Sequence, residues 1–123
     1  VVKRRRSATE VEPLHVIGDV EGKNVLIVDD ITETAGTLTS AAKILKTLGV
    51  GDIYAGVSHS VLTDLSIERL KDSDIKQLIT TDSVPGSEDV EGRVTRLSIA
   101  ELLGEGIRRI HQGESVSSLF RVK

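Results

Sequence analysis

The stretch "NVLIVDDITETAGTLTSAAKIL", residues 24–45, constrains the fold more than any other part of the chain. Residues 25–28 are apolar, rich in β-branched side chains and too few for a helix, so they predict a buried strand that runs on into Asp29 and Asp30. From Thr34 onward apolar residues recur at helical spacing, and Gly49 is a typical helix end. The residues on that apolar face are Leu38, Ala41, Ala42, Leu45 and Leu48. The stretch therefore predicts a strand, a short turn and a helix.

The rest of the chain repeats this alternation. Apolar and β-branched runs predict strands near residues 14–17, 52–59, 75–83 and 93–99, and residues 66–73 predict a short helix. A last helix is predicted from an apolar face made of Ile99, Leu102, Leu103, Gly106, Ile107 and Ile110. Strands that alternate with helices in this way predict an α/β fold with a mostly parallel sheet flanked by helices.

Composition excludes several classes of function. With 123 residues the chain suits a single domain, and its net charge of −3 argues against nucleic acid as the main partner. There is no cysteine, which excludes disulfides, thiolate catalysis and zinc-finger sites and fits a cytoplasmic location. No apolar run approaches the roughly 18 residues that span a bilayer, so we expect no membrane partner. Methionine is absent even at position 1, so we expect a piece of a longer protein.

The turn after the first strand has the chemistry of a ribose phosphate site. Ligands of parallel sheets bind beyond the carboxyl ends of the strands, where Asp29 and Asp30 are predicted to lie. The helix that follows offers backbone N–H groups and a dipole that favour phosphate. Gly36 permits close approach of the backbone and, if needed, a positive φ, while Thr34, Thr37 and Thr39 offer hydroxyls. Carboxylates would repel phosphate but accept hydrogen bonds from vicinal sugar hydroxyls.

Three other interpretations of the same residues were weighed. Threonines before a helix are common caps, and an acidic pair after a strand can be a solvated turn. A Walker B strand also ends in acids, but its partner GxxxxGK[ST] is absent, since "GDVEGKN" has the wrong spacing. A response-regulator receiver would need a phosphorylatable aspartate at the end of a later strand, where this chain has His59. Neither of the last two explains the sequence Thr-Ala-Gly-Thr.

Four stretches resemble one family. "VLIVDDITETAGT" resembles the phosphoribosyl-diphosphate signature that phosphoribosyltransferases share with ribose-phosphate pyrophosphokinases. "VVKRRRS" resembles the basic catalytic flexible loop of the pyrophosphokinases, "HVIGDVEGKNVLIVDD" their approach to the signature, and "AELLGEGIRRIHQGESVSSLF" their last helix and tail. The resemblance implies the C-terminal half of such an enzyme, with the loop at residues 1–9 and a phosphoribosyltransferase-like (Rossmann-like) domain at residues 10–123.

The resemblance also implies an activity and a set of site residues. The reaction would be transfer of the diphosphoryl group of ATP to ribose 5-phosphate, with Mg²⁺ as cofactor and inorganic phosphate as an activator. Lys3 and Arg5 would be catalytic, and Asp29 and Asp30 would bind the ribose hydroxyls and, through oxygen ligands, the metal. The implied ribose 5-phosphate site as a whole is Asp29, Asp30, Glu33, Thr34, Ala35, Gly36, Thr37, Leu38 and Thr39. Ser115 and Ser117 would belong to an allosteric site for phosphate and ADP.

The partners implied are the N-terminal half of the enzyme and neighbouring subunits of a homo-oligomer such as a hexamer. The sequence departs from the family pattern at four places: Val2, Glu33, Asp64-Leu65 and Ser118. Two other functions stay open on the sequence: a phosphoribosyltransferase, which would share the signature, and a catalytically silent regulatory subunit of the synthetase.

Overall fold

A computed structural model describes residues 16–85 and 91–120 of the chain. From residue 25 onward, four strands and three helices follow in the order expected from the sequence, with no helix between the third and fourth strands, and a short 3-10 helix, Ser117–Phe120, follows them. The strands are β1 (Val25–Thr32), β2 (Ile53–Ser60), β3 (Ile75–Thr81) and β4 (Val94–Leu97); the helices are α1 (Gly36–Thr47), α2 (Asp64–Lys71) and α3 (Ala100–Gln112).

The four strands form one parallel sheet in the order β1-β2-β3-β4. Val25 lies opposite Ile53 at one end of the first pair, and Thr32 lies opposite Ser60 at the other. The α/β class and the parallel sheet flanked by helices are therefore confirmed. Because every crossover steps in the same direction and is expected to be right-handed, α1 and α2 are expected on the same face of the sheet.

The core lies between that face and the two helices. Its fully buried side chains come from alternate positions of the strands and from one stripe of each helix, and they include Leu38, Ala42, Leu45, Ile53, Ala55, Leu70 and Leu78. Two hydroxyls are buried at the carboxyl end of the sheet, where Thr80 Oγ1 donates to Ser60 Oγ at 2.8 Å. This pairing satisfies polar groups that would otherwise be costly to bury.

Element ends differ from the predicted ones by about two residues, and capping explains the shift of α2. Helix α2 begins at Asp64, two residues before the predicted start, because the backbone N–H of Ser66 donates to Thr63 Oγ1 at 3.3 Å. Thr63 is thus the N-cap. At the end of α1 the prediction holds: Gly49 follows the C-cap Leu48 with φ of 77°, a left-handed conformation suited to glycine.

The expected strand at residues 14–17 is not formed in its described part. Val16 and Ile17 have no strand conformation, and the chain bends at Gly18 directly after them. Val16 instead packs against the core from an irregular segment, while Ile17 is exposed. Residues 14 and 15 lie outside the described residues, as do residues 1–9 with Lys3 and Arg5, so the basic loop stays a prediction.

The prediction that β1 is buried was wrong for one face of the sheet. Leu26 is 57% exposed and Val28 is 74% exposed, because α1 and α2 both cover the opposite face. Helix α3 has an apolar face, as the sequence indicates, but none of its residues is buried. Its exposed members are Leu102, Leu103, Ile107 and Ile110.

No helix within the described ranges combines the length and the apolar character that a bilayer crossing requires.

Leucines on α1 and α3 give a direct test of this packing. Replacing buried Leu45 by alanine should lower the free energy of unfolding by about 2–5 kcal/mol, because it leaves a cavity. The matched change Leu102→Ala, at a side chain that is 53% exposed, should change it by less than about 0.5 kcal/mol. Urea unfolding monitored by circular dichroism measures both. Equal losses would contradict the packing, since they would require α3 to be buried within the chain.

Candidate functional site

A cleft of about 590 Å³ opens at the carboxyl end of β1. Its walls come from one continuous segment, residues 29–37, which includes the end of β1, the β1–α1 turn (residues 33–35) and the first residues of α1. The cleft therefore lies where parallel sheets usually bind their ligands. Of the implied ribose 5-phosphate residues, all but Leu38 and Thr39 line it.

Two carboxylates form one side of the cleft. Asp29 Oδ1 accepts the backbone N–H of Asp30 at 2.9 Å, and Asp30 Oδ1 accepts the N–H of Ile31 at 2.8 Å. These local bonds restrain both side chains and leave the second oxygen of each carboxylate available to a ligand. Oxygens of this kind suit donors such as sugar hydroxyls or a magnesium ion.

The other side of the cleft is the start of α1. Ala35, the N-cap, adopts a left-handed conformation with φ of 54° and ψ of 5° and is 1% exposed. Alanine has no side-chain oxygen with which to cap the helix, and the first turn of α1 carries no acidic residue. Backbone N–H groups and the positive end of the helix dipole therefore face the cleft, an arrangement that favours an anion.

The sequence suggested that Gly36 could adopt a positive φ. In the structure the residue with the positive φ is its neighbour Ala35. Gly36 has a different reason to be small. A Cβ added there would lie 3.0 Å from Nη1 of Arg69, a side chain of α2. Arg69 Nη1 also donates to the carbonyl oxygen of Thr34 at 3.0 Å. Sequence reasoning missed Arg69, because a contact across 35 residues leaves no local signal.

The two implied residues that do not line the cleft, Leu38 and Thr39, contact the core and the backbone of α1. Leu38 is 1% exposed and its side chain belongs to the core. Thr39 Oγ1 lies 3.1 Å from the carbonyl oxygen of Ala35 and 3.3 Å from that of Gly36, so its hydroxyl hydrogen is directed at the helix backbone. These contacts hold the left-handed turn against the first turn of α1.

For a magnesium ion, the cleft offers the neighbouring carboxylates of Asp29 and Asp30, and Glu33 is a further carboxylate in its lining. No group of three or more His, Cys, Asp or Glu residues suited to a metal occurs in the described part of the chain. Magnesium is commonly held by one or two carboxylates together with waters and substrate phosphates, so the pair fits the ion. His59 takes no part, since its Nδ1 contacts Ser83 Oγ at 2.6 Å.

Comparison with known proteins identifies the family. The family model for the phosphoribosyl synthetase-associated domain matches residues 4–121. The chain belongs to this family. It is 46% identical to the ribose-phosphate pyrophosphokinase of Chlorobaculum tepidum over 123 residues, which are 100% of this chain and 38% of that protein. It is 45% identical to the ribose-phosphate pyrophosphokinase of Aquifex aeolicus over 120 residues, 98% of this chain and 39% of that protein.

A solved structure agrees with these relatives. The crystal structure of phosphoribosylpyrophosphate synthetase from Mycobacterium smegmatis matches with a TM-score of 0.74 and 35% identity, covering 79% of this chain and 33% of that one. The phosphoribosyl synthetase-associated domain described here thus spans less than two fifths of the length of these relatives.

The segment with Ser115 and Ser117 follows α3 in the chain and does not line the cleft. Arg109 Nη1 donates to the carbonyl oxygen of Ser115 at 3.1 Å and also contacts Ser118 Oγ. The backbone N–H of Ser117 donates to Ser115 Oγ at 3.2 Å. The structure thus brings Ser115 close to a guanidinium group that the sequence reading did not single out, and Ser117 is joined to Ser115.

Glu105 anchors this segment of the domain. Arg108 Nε donates to its Oε2 at 2.9 Å and Arg109 Nε donates to its Oε1 at 2.6 Å. These two guanidinium groups lower the pKa of Glu105 from 4.5 to about 2. Because the folded pKa is depressed, the ion pairs stabilise the fold above the unfolded pKa of 4.5, and that stabilisation is lost as the pH falls towards 2.

Carbon-13 NMR of the side-chain carboxyl tests this arrangement. Glu105 should titrate with a midpoint near 2 in the unmodified chain. In an Arg108→Gln, Arg109→Gln double variant the midpoint should rise towards 4.5, because both donors are gone. Arg93→Gln, a charge removed near α2 instead, should leave the midpoint unchanged. A midpoint near 4.5 in the unmodified chain would show that these ion pairs do not form.

Proposed function

We propose that this chain supplies the ribose 5-phosphate site of a ribose-phosphate pyrophosphokinase. The observation that carries the proposal is the cleft itself, in which residues 29–37 combine two strand-end carboxylates with an anion-favouring helix start. The names of the relatives support the pyrophosphokinase over a phosphoribosyltransferase, which would use the same kind of cleft. The reaction would join ribose 5-phosphate and ATP to give phosphoribosyl diphosphate and AMP.

The two ends of the cleft suit the two ends of the sugar phosphate. The 5-phosphate would bind at the start of α1, where backbone N–H groups of residues 36–38 and the hydroxyls of Thr34 and Thr37 would donate to its oxygens. Asp29 and Asp30 would accept hydrogen bonds from the ribose hydroxyls. This division keeps the carboxylates away from the phosphate, whose charge they would repel.

In the chemical step, the oxygen of the 1-hydroxyl would attack the β-phosphorus of ATP. The bond between that phosphorus and the oxygen bridging to the α-phosphate would break, AMP would leave, and the hydroxyl proton would be released. Lys3 and Arg5 would stabilise the charge on the transferred diphosphoryl group, a role in which positioned cations are effective. Asp29 and Asp30 would help hold magnesium, which when bound supplies positive charge to the nucleotide phosphates.

The rest of the active site would come from outside this chain. Because the chain spans 38% of its relatives, we propose that the remainder of the enzyme and neighbouring subunits bind ATP. Assignment of the chain to the C-terminal half rests on the resemblance of its tail to that of the family. The exposed apolar side chains of β1 and α3 are suitable surfaces for such contacts, within the same protein or in a homo-oligomer.

Ser115 and Ser117 are proposed to bind the regulatory phosphate or ADP. Short hydroxyl side chains next to backbone N–H groups can bind an anion, and Arg109 lies beside them. Arg109 is also bonded to Glu105, so its charge is shared between the carboxylate and any such ligand.

Calorimetry with ribose 5-phosphate and Mg²⁺ tests the proposed site. Asp30→Asn should weaken binding by about 1–3 kcal/mol, since a charge-assisted hydrogen bond to the sugar is lost. The matched control is Asp52→Asn, the same change at the amino end of β2, where Asp52 pairs with Lys76 at 2.8 Å. That variant should bind normally. Absence of heat at millimolar ligand, or equal weakening by both variants, would contradict the site.

A further inference from the structure

Arg69 reaches the β1–α1 turn from a different element. It lies in the last turn of α2, and its Nη1 donates to the carbonyl oxygen of Thr34 at 3.0 Å. Thr34 directly precedes Ala35, the residue with the left-handed backbone. A non-glycine residue in that conformation costs roughly 1–2 kcal/mol, so the turn needs contacts that hold it. The bond from Arg69 is such a contact, and it comes from outside the segment.

The guanidinium group also occupies the space next to Gly36. The three atoms nearest to an added Cβ would be Arg69 Nη1 at 3.0 Å, Thr34 Oγ1 at 3.6 Å and Arg69 Cζ at 3.7 Å. The missing side chain of Gly36 therefore lets the cation lie against the backbone at the first residue of α1. A positive charge at this place adds to the helix dipole that faces the cleft.

The charge of Arg69 is not neutralised by a carboxylate among the described residues, whose ion pairs involve other side chains. Arg69 is exposed, and its bond to Thr34 is made to a neutral carbonyl group. By contrast, the arginines of α3 are paired with Glu105 and Glu114. Arg69 thus places a cation, unpaired with any carboxylate of the described residues, against Thr34 and Gly36, two residues that line the cleft.

We propose that Arg69 is a positioning residue of the phosphate subsite. Its hydrogen bond holds the β1–α1 turn in the conformation that presents the N–H groups of α1, and its charge raises the affinity of that subsite for phosphate. The second part rests on the proposed function, because it requires that the cleft binds a sugar phosphate; the first part concerns the ligand-free chain.

The ligand-free part is tested by amide hydrogen exchange. The N–H of Thr39 donates to the carbonyl oxygen of Ala35 at 2.9 Å, so its exchange reports on the turn. Arg69→Met should speed this exchange at least about fivefold, since one hydrogen bond to the turn is lost. Arg93→Met is the matched control, because Arg93 Nη1 also donates to backbone carbonyls, those of Leu70 and Lys71, at 3.2 Å each. Equal exchange in the two variants would overturn the positioning role.

The ligand-bound part is tested by calorimetry with ribose 5-phosphate at several salt concentrations. Arg69→Met should bind roughly 10- to 100-fold more weakly than the unmodified chain and with a shallower salt dependence, because a cation near the phosphate is gone. Arg69→Lys, which keeps the charge but not the planar donor group, should recover part of the affinity. Arg93→Met should bind normally. Unchanged affinity in Arg69→Met would overturn this part.

The two proposals fail in different ways. If the unmodified chain binds no ribose 5-phosphate, the proposed function is wrong. Faster exchange of the Thr39 amide in Arg69→Met would still show that Arg69 stabilises the β1–α1 turn. If the unmodified chain binds and Arg69→Met matches Arg93→Met in both measurements, the cleft is correct and the role of Arg69 is wrong. Far-UV circular dichroism checks that each variant keeps the fold, which is expected because Arg69 is exposed.

Discussion

The backbone at Ala35 is left-handed where the chain passes from β1 into the buried helix α1, and the cleft depends on that turn. The cost of roughly 1–2 kcal/mol at one alanine is small beside the burial of Leu38 and Leu45, each worth about 1.5–3 kcal/mol. The strain is therefore maintained by the core. Its effect is to direct the start of α1 at the end of β1, so that N–H groups and carboxylates face the same space.

Local sequence patterns were sufficient for the order of elements from residue 25 onward and for the segment that forms the cleft. Residues 25–28 and the helical spacing from Leu38 to Leu45 depend on short-range periodicity, which a single sequence contains. The N-cap at Thr63 could also have been predicted, since a threonine before an apolar helical pattern is a recognised start signal. The exact ends of β3 and β4 depend on pairing partners and were missed by one or two residues.

Two features were beyond a sequence reading because they depend on distant contacts. The left-handed residue is Ala35 although Gly36 is the one that tolerates a positive φ without cost, and Gly36 instead leaves space for Arg69 Nη1, which would lie 3.0 Å from an added Cβ. Exposure of Leu26 and Val28 follows from the placement of α1 and α2 on the same face, which hydrophobicity along β1 does not reveal. An apolar strand predicts that both of its faces are buried, but the pattern does not say which element of the fold covers each face.

The central claim is that the end of β1 and the start of α1 form one ribose 5-phosphate site, and backbone NMR tests it most directly. Ribose 5-phosphate with Mg²⁺ should shift the amide signals of residues 29–30 and 34–37 most strongly, while those of α3 stay in place. The shifts should saturate together, because one ligand would contact both groups. Independent saturation of the two groups, or shifts confined to residues outside 29–37, would contradict the account.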